Sequence, residues 1–279
     1  MIRVGTSGFS YKDWVGPYYP PELNKQDWLA YYAREFSTCE LNFTYYRLPN
    51  AKTLARMADK TPPGFMFAVK AFQGLTHERD VSRNTQAFHD FTSSLQPLID
   101  ADKFGCILAQ FPFSFHATTE NRDYLRRLRD GLGDLATVVE FRNEGWLTDT
   151  TFDLLRELQM GFCCVDEPRL KGLIPPIAKA TGPVAYVRFH GRNAAKWWQH
   201  EQAWERYDYS YTPEELAEWL PSVQQMSAQA REVHLMMNNN HADYAVHNAK
   251  DMMTLLGQAV VGEPGAEPDT GPGPQPRLL

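Results

Sequence analysis

Eight short apolar runs recur along the chain, and each carries a polar or charged residue at or near its C-terminal end. They are Ile2–Thr6, Ser37–Phe43, Phe65–Lys70, Phe104–Gln110, Thr137–Arg142, Gly161–Asp166, Val184–His190 and Glu232–Asn238. Between them lie stretches with helical periodicity: Gln26–Glu35, Lys52–Lys60, Thr85–Ala101, Asn121–Gly131, Asp149–Gln159, Pro213–Ala230 and Tyr244–Leu256. Asn24, Asn50, Thr148 and Thr212 mark helix starts, and Thr212-Pro213-Glu214-Glu215 reads as a capping box with proline at the first helical position. Short continuous apolar runs alternating with helices predict parallel strands buried on both faces. Repeated eight times, the alternation predicts an α/β fold, a single (β/α)8 TIM-type barrel. A dinucleotide-binding sheet needs G-x-G-x-x-G after its first strand, and Gly5-Thr6-Ser7-Gly8 does not supply it. The segment 167–181, rich in Pro and Gly, predicts one irregular crossover.

Composition narrows the picture. The barrel is expected over residues 1–261, and the Gly, Pro and acidic residues of 262–279 read as a disordered tail. Net charge is −6, which disfavours nucleic acid or an anionic membrane as partner of the surface as a whole. No apolar run approaches the roughly 20 residues needed to span a bilayer, and no signal-peptide pattern follows Met1. Cys39, Cys106, Cys163 and Cys164 lie inside apolar runs without CxxC spacing. They read as buried reduced thiols, which fits a cytoplasmic protein.

The polar strand ends are where chemistry is expected. They are Thr6, Glu40 with Asn42, Lys70, Gln110, Glu140 with Arg142, Asp166, Arg188 with His190, and Asn238. In a closed barrel they would ring the C-terminal mouth, where active sites of this fold sit. Two aromatic loops should overhang it. One carries Phe9, Tyr11, Trp14, Tyr18 and Tyr19; the other carries Arg192, Lys196, Trp197, Trp198, Trp204, Tyr207, Tyr209 and Tyr211. Such loops suit flat ligands such as sugar rings or bases, or else cap the barrel as a secondary core.

Taken in order, several segments resemble the YecE-like family, a family defined by a domain of unknown function. They include Gly5-Thr6-Ser7-Gly8-Phe9-Ser10-Tyr11 with Trp14, Gly16 and Tyr19-Pro20, then Glu40 through Pro49, Phe67-Ala68-Val69-Lys70 and Thr76-His77. Further on come Leu108-Ala109-Gln110-Phe111-Pro112, Val139-Glu140-Phe141-Arg142 with Trp146, Val187 through Arg192, Asn238-Asn239 and Asn248-Ala249. The resemblance implies a TIM-type barrel without a settled activity. Phe9 stands where the family usually has Trp, and Asp243 where Gly is common.

Side chains alternate across a strand, so Glu140 and Arg142 share a face, as do Tyr186, Arg188 and His190, and Thr38, Glu40 and Asn42. If those faces point inward, the acids Glu40, Glu140 and Asp166 meet Lys70, Arg142 and Arg188, with His190 beside them. Buried charges of this kind must pair with one another, with a metal or with a ligand. A self-satisfied ion-pair network is one reading. A divalent metal (Mg²⁺, Mn²⁺ or Zn²⁺) held by Glu40, Glu140, Asp166 and His190 is a second, although three nearby cations would compete with it. A metal-free acid–base site is the third. There Glu140 or Glu40 works with His190, while Lys70, Arg142, Arg188 and Arg192 hold an anionic group. Lys70 reads as a salt-bridge partner or, alternatively, a Schiff-base amine. Thr6, Asn42, Gln110, Asn238, Asn239, Tyr11 and Trp14 complete the expected substrate-binding set.

The expected function is hydrolysis or isomerisation of a small polar anionic substrate, sugar-, phosphate- or nucleotide-like. The alternatives are an endonuclease IV-like DNA repair nuclease and a ligand-binding module without turnover.

Overall fold

Eight parallel strands close into a barrel in chain order: β1 (Ile2–Ser7), β2 (Thr38–Leu41), β3 (Met66–Lys70), β4 (Phe104–Gln110), β5 (Thr137–Glu140), β6 (Gly161–Asp166), β7 (Val184–Phe189) and β8 (Glu232–Met237). The computed structural model describes residues 1–79 and 81–260, without the side chains of residues 81–84 and 203. The tail expected at 262–279 lies outside the described residues. Each predicted run contains one strand. The largest difference is at β2, which stops at Leu41 because Asn42 turns into the αR region and starts α2 (Phe43–Tyr46). Thr44 locks that turn by donating its hydroxyl to the carbonyls of Leu41 (2.8 Å) and Lys70 (2.6 Å). Tyr45 and Tyr46 are thereby carried to the barrel mouth.

The outer layer follows the helical pattern with two corrections. The helix α3 (Ala51–Asp59) buries Leu54, Met57 and Ala58, α6 (Thr119–Leu132) buries Tyr124, Leu125, Leu128 and Leu132, and α7 (Asp149–Glu157) buries Thr151, Phe152, Leu154 and Leu155. These are the i, i+3, i+4 spacings of a helix face that meets a sheet. Asn50, Thr148 and Thr212 cap helices as expected, the last in a full capping box with Glu215. Asn24 does not: it precedes a 3-10 turn, makes no side-chain cap, and α1 begins at Trp28 (Trp28–Tyr32). The long helix expected at Thr85–Ala101 is broken into α4 (Val81–Ser94) and α5 (Gln96–Asp100). The one expected at Pro213–Ala230 becomes α9 (Pro213–Ala217) and α10 (Leu220–Ser227). Pro97 and Pro221 stand in the first turns of the second halves, where a missing N–H costs no helical bond. A short α8 (Ala194–Trp197) and α11 (Tyr244–Leu255) complete the layer. The 167–181 crossover contains no helix.

Across the N-terminal end of the barrel, His234 on β8 meets Thr38 (3.3 Å) and Glu232 (3.3 Å), and its ring stacks on Tyr186 at 5.7 Å. That end is plugged, so access is from the opposite mouth. The four cysteines are buried free thiols. Among the described residues, no helix is long and apolar enough to cross a membrane.

Candidate functional site

Hydrogen bonds between strands that are not sheet neighbours identify the inward faces. Tyr186 and Arg188 stand on β7, whose neighbours are β6 and β8. Yet the Tyr186 hydroxyl donates to Glu40 on β2 at 2.8 Å, and Arg188 reaches Glu40 and Glu140 on β5. These bonds cross the lumen. Arg188 donates Nε and Nη2 to the two oxygens of Glu40 (3.0 and 2.7 Å) and Nη1 to Glu140 Oε2 (2.8 Å). Its Nη2 also meets Asn238 Oδ1 at 3.0 Å and lies 3.5 Å from Ser7 Oγ. Glu140 Oε1 takes Arg142 Nη2 at 2.9 Å and His190 Nε2 at 3.1 Å. Glu40, Glu140 and His190 are fully buried, and Arg188 nearly so. The expected ring therefore exists for Glu40, Glu140, Arg142, Arg188, His190 and Asn238, and its charges satisfy one another.

The protonation state of His190 follows from this wiring. A guanidinium has no acceptor, so the Asn238 atom facing Arg188 is Oδ1 and its Nδ2 donates to His190 Nδ1 at 2.8 Å. His190 then carries its proton on Nε2 and gives it to Glu140. Burial and the neighbouring Arg142 push the imidazole down to about 3, so it stays neutral. Burial alone would raise the Glu140 carboxyl, but Arg142, Arg188 and His190 outweigh it and hold it well below the usual range.

Several expected members are elsewhere. Asp166 faces the helix layer, where it takes Arg192 through both oxygens (2.9 and 2.8 Å), the Tyr211 hydroxyl (2.8 Å) and Trp219 Nε1 (2.8 Å). Arg192 is drawn away with it, and also bonds Glu215 and Glu218. Thr6 turns outward to Tyr32 on α1. Asn239 braces the loops above β7 and β8 through Tyr209 and Asn248. Trp14 is fully buried, packed with Tyr11, Tyr18 and Tyr19 as core. For Asp166 and Thr6, the two that stand on strands, the reason is parity. Cys163 lies inside, near Glu140 and Arg188, while Cys164 touches Met226 in the outer layer, so Asp166 at the end of β6 faces outward and Glu167, the next residue, faces inward. On β1 it is Ser7, not Thr6, that faces the lumen.

The metal set fails for the same reason. Asp166 is on the other side of the sheet, and both ring nitrogens of His190 are engaged. Among the described residues no three His, Cys, Asp or Glu side chains are arranged to hold a metal.

Glu167 was not anticipated. It accepts Arg142 Nη1 at 3.2 Å and the Ile174 amide at 3.1 Å, and burial pushes it up to about 7. The two adjacent acids 166–167 are the sequence signal: only one of two neighbours can point outward.

Above the lattice lies a chamber of about 330 Å³, lined by Tyr11, Asn42, Tyr45, Tyr46, Lys70, Gln110, Arg142, Arg188, Tyr207, Asn238 and Asn240. Three cations line it and no carboxylate does. Among the described residues Lys70 makes no ion pair; its Nζ stands 4.7 Å over the Tyr45 ring. The salt bridge expected of Lys70 is therefore not formed. Burial, with Arg188 and Arg142 nearby, brings its ammonium down to about 8. The buried Oδ1 atoms of Asn42 and Asn240 have no hydrogen-bond partner among the described residues. A second chamber of about 260 Å³ adjoins the first and shares Gln110, Arg142 and Tyr207 with it. It adds His77, Pro112, Phe113, Leu173, Trp197, Trp198 and Arg206. Of the expected aromatic loop after β7, Trp197 and Tyr207 cover His190, at ring distances of 6.3 and 6.1 Å.

The family described as "Protein of unknown function DUF72" matches residues 3–272. The chain is 32% identical over 270 residues to the UPF0759 protein YunF of Bacillus subtilis, covering 92% of this chain and 95% of that one. A solved DUF72 family protein from Thermotoga maritima aligns with a TM-score of 0.85 at 38% identity, covering 92% of this chain and all of the other (100%). One from Enterococcus faecalis aligns at 0.83 and 30% identity, over 93% and 96%.

Proposed function

Because the chain belongs to the DUF72 family of proteins of unknown function, we propose from its own site that this TIM-barrel protein binds a small polar anion at the barrel mouth and acts on it by acid–base hydrolysis or isomerisation. The observation that carries the reading is the inner chamber. Lys70, Arg142 and Arg188 face it, while Glu40 and Glu140 are sealed behind the guanidinium groups. An anionic group placed there meets Lys70, which has no carboxylate partner among the described residues, beside two guanidinium groups whose carboxylates lie behind them, and charge-assisted hydrogen bonds are the strong ones. Tyr11, Asn42, Asn240 and Tyr207 supply polar edges for the remainder of a substrate.

The acid–base role falls to Lys70. An amine titrating near 8 exchanges its proton close to working pH, which is what proton transfer needs. Glu40, Glu140 and His190 act instead through Arg188, by fixing its charge and position. The alternative is a nuclease using the same ring; it is less favoured because Glu40, Glu140 and His190 are bound to Arg188, Arg142 and Asn238 rather than open to a substrate.

Sulfate, a dianion across the whole range, tests the binding step by calorimetry between pH 6 and 10. Affinity should be highest where Lys70 is charged and should fall as pH rises through about 8. Ionisation of Glu167 above about 7 adds negative charge behind Arg142 and weakens binding in the same direction. Glu167→Gln should remove that part and leave one transition near 8. An affinity independent of pH would exclude Lys70 from the anion site. The chemical step is tested by following phosphorylated sugars and nucleotides by NMR; binding without conversion of any of them would favour a ligand-binding module.

A further inference from the structure

We infer that the two adjoining chambers take one two-part ligand: an anionic group in the inner chamber joined to a planar aromatic ring in the outer one, the chemistry of a mononucleotide. The inference rests on the anion reading of the inner chamber and adds the other half of the ligand. Its own observation is the distribution of exposed apolar side chains. Among the described residues the exposed large hydrophobics are Met1, Val15, Tyr46, Phe113, Trp198 and Trp204. All but Met1 stand on segments that leave the C-terminal ends of strands. Phe113 and Trp198 come from two different segments and meet there, and a contiguous exposed apolar pair of this kind is what supports a binding surface.

Two of these residues belong to the outer chamber. Trp198 is 55% exposed and Phe113 39%, their rings edge to face at 5.6 Å, so each offers an open face or edge. Trp197 and Leu173 are buried beneath.

A polyhydroxylated ring would find few free partners here. Gln110 Nε2 donates to the Phe111 carbonyl (2.6 Å), Arg142 is held by Glu140 and Glu167, and His77 Nδ1 is paired with Thr76 (2.9 Å). Unpaired hydroxyls in such a site would be costly. A flat aromatic ring needs only stacking surface and one or two edge contacts. Arg206 Nε, buried and without a hydrogen-bond partner among the described residues, offers one donor to a ring nitrogen or carbonyl. Arg142, common to both chambers, stands where ring and anion would join.

The test titrates the full chain, its Trp198→Ala variant and its Lys70→Met variant with the four ribonucleoside 5′-monophosphates, ribose 5-phosphate and sulfate. The best nucleotide should bind about tenfold tighter than ribose 5-phosphate, the worth of one base–aromatic stack. Trp198→Ala should erase most of that margin and leave sulfate affinity within about twofold, because Trp198 lines the outer chamber and not the inner one. Lys70→Met should weaken all of the ligands together. If sulfate and ribose 5-phosphate bind but no nucleotide gains, or if Trp198→Ala weakens every ligand equally, the two-part ligand is rejected and the inner anion site stands. If none of the three ligand types binds, both readings fall.

Discussion

Arg188→Met is expected to lower the unfolding free energy by about 3–5 kcal/mol, the usual cost of leaving a buried partner charge uncompensated. The substitution keeps most of the side-chain volume but, among the described residues, leaves Glu40 with only the Tyr186 hydroxyl, and Glu140 with Arg142 and His190. Denaturant unfolding measures it. A loss below about 1 kcal/mol would mean that the carboxylates find other partners or protonate without penalty. The expected result also explains why activity loss in this variant would carry no information about chemistry: the site would fall with the barrel end that supports it.

Lys70→Met should behave in the opposite way. Its ammonium makes no ion pair among the described residues, so its removal orphans no buried group. Thermal stability should be kept or slightly raised, since burial already disfavours the charge. Affinity for sulfate should drop about tenfold to a hundredfold, corresponding to the ~1.5–3 kcal/mol of a charged hydrogen bond. Calorimetry and a melting curve on one preparation give both quantities. Unchanged sulfate affinity in a stable Lys70→Met protein would remove the main support for the proposed anion site. The contrast separates two kinds of buried cation that look alike in a list: Arg188 is held by the protein, whereas Lys70 is held ready.

The barrel itself was legible because its strands are continuous apolar runs and its helices carry a 3.6-residue stripe; both signals are local. The helix breaks at Pro97 and Pro221 were also visible in principle, since proline in a helical stretch places a boundary. The faces of the strands were not. A strand buried on both sides shows no alternation, so Gly161-Phe162-Cys163-Cys164-Val165-Asp166 gives no hint of which parity points inward. Glu40, Glu140, Arg188 and His190 were placed correctly because their same-face neighbours were themselves polar. Asp166 and Thr6 were misplaced by one residue, with Glu167 and Ser7 the inward-facing members. The burial of Trp14 and the exposure of Trp198 could not be separated either, because both sit in aromatic, Gly- or Lys-punctuated loops and differ only in what packs over them.

The shared bonding of Arg188 has a consequence for how this sequence can drift. Glu40, Glu140, Asn238 and, more distantly, Ser7 are tied to one guanidinium. Loss of Arg188 strands the two glutamates, and loss of either glutamate leaves the buried guanidinium short of a partner, whereas an apolar replacement of the whole set can be close to neutral. The intermediate genotypes are the unfavourable ones. The lattice is therefore inherited as a unit, and its members are expected to change together or not at all.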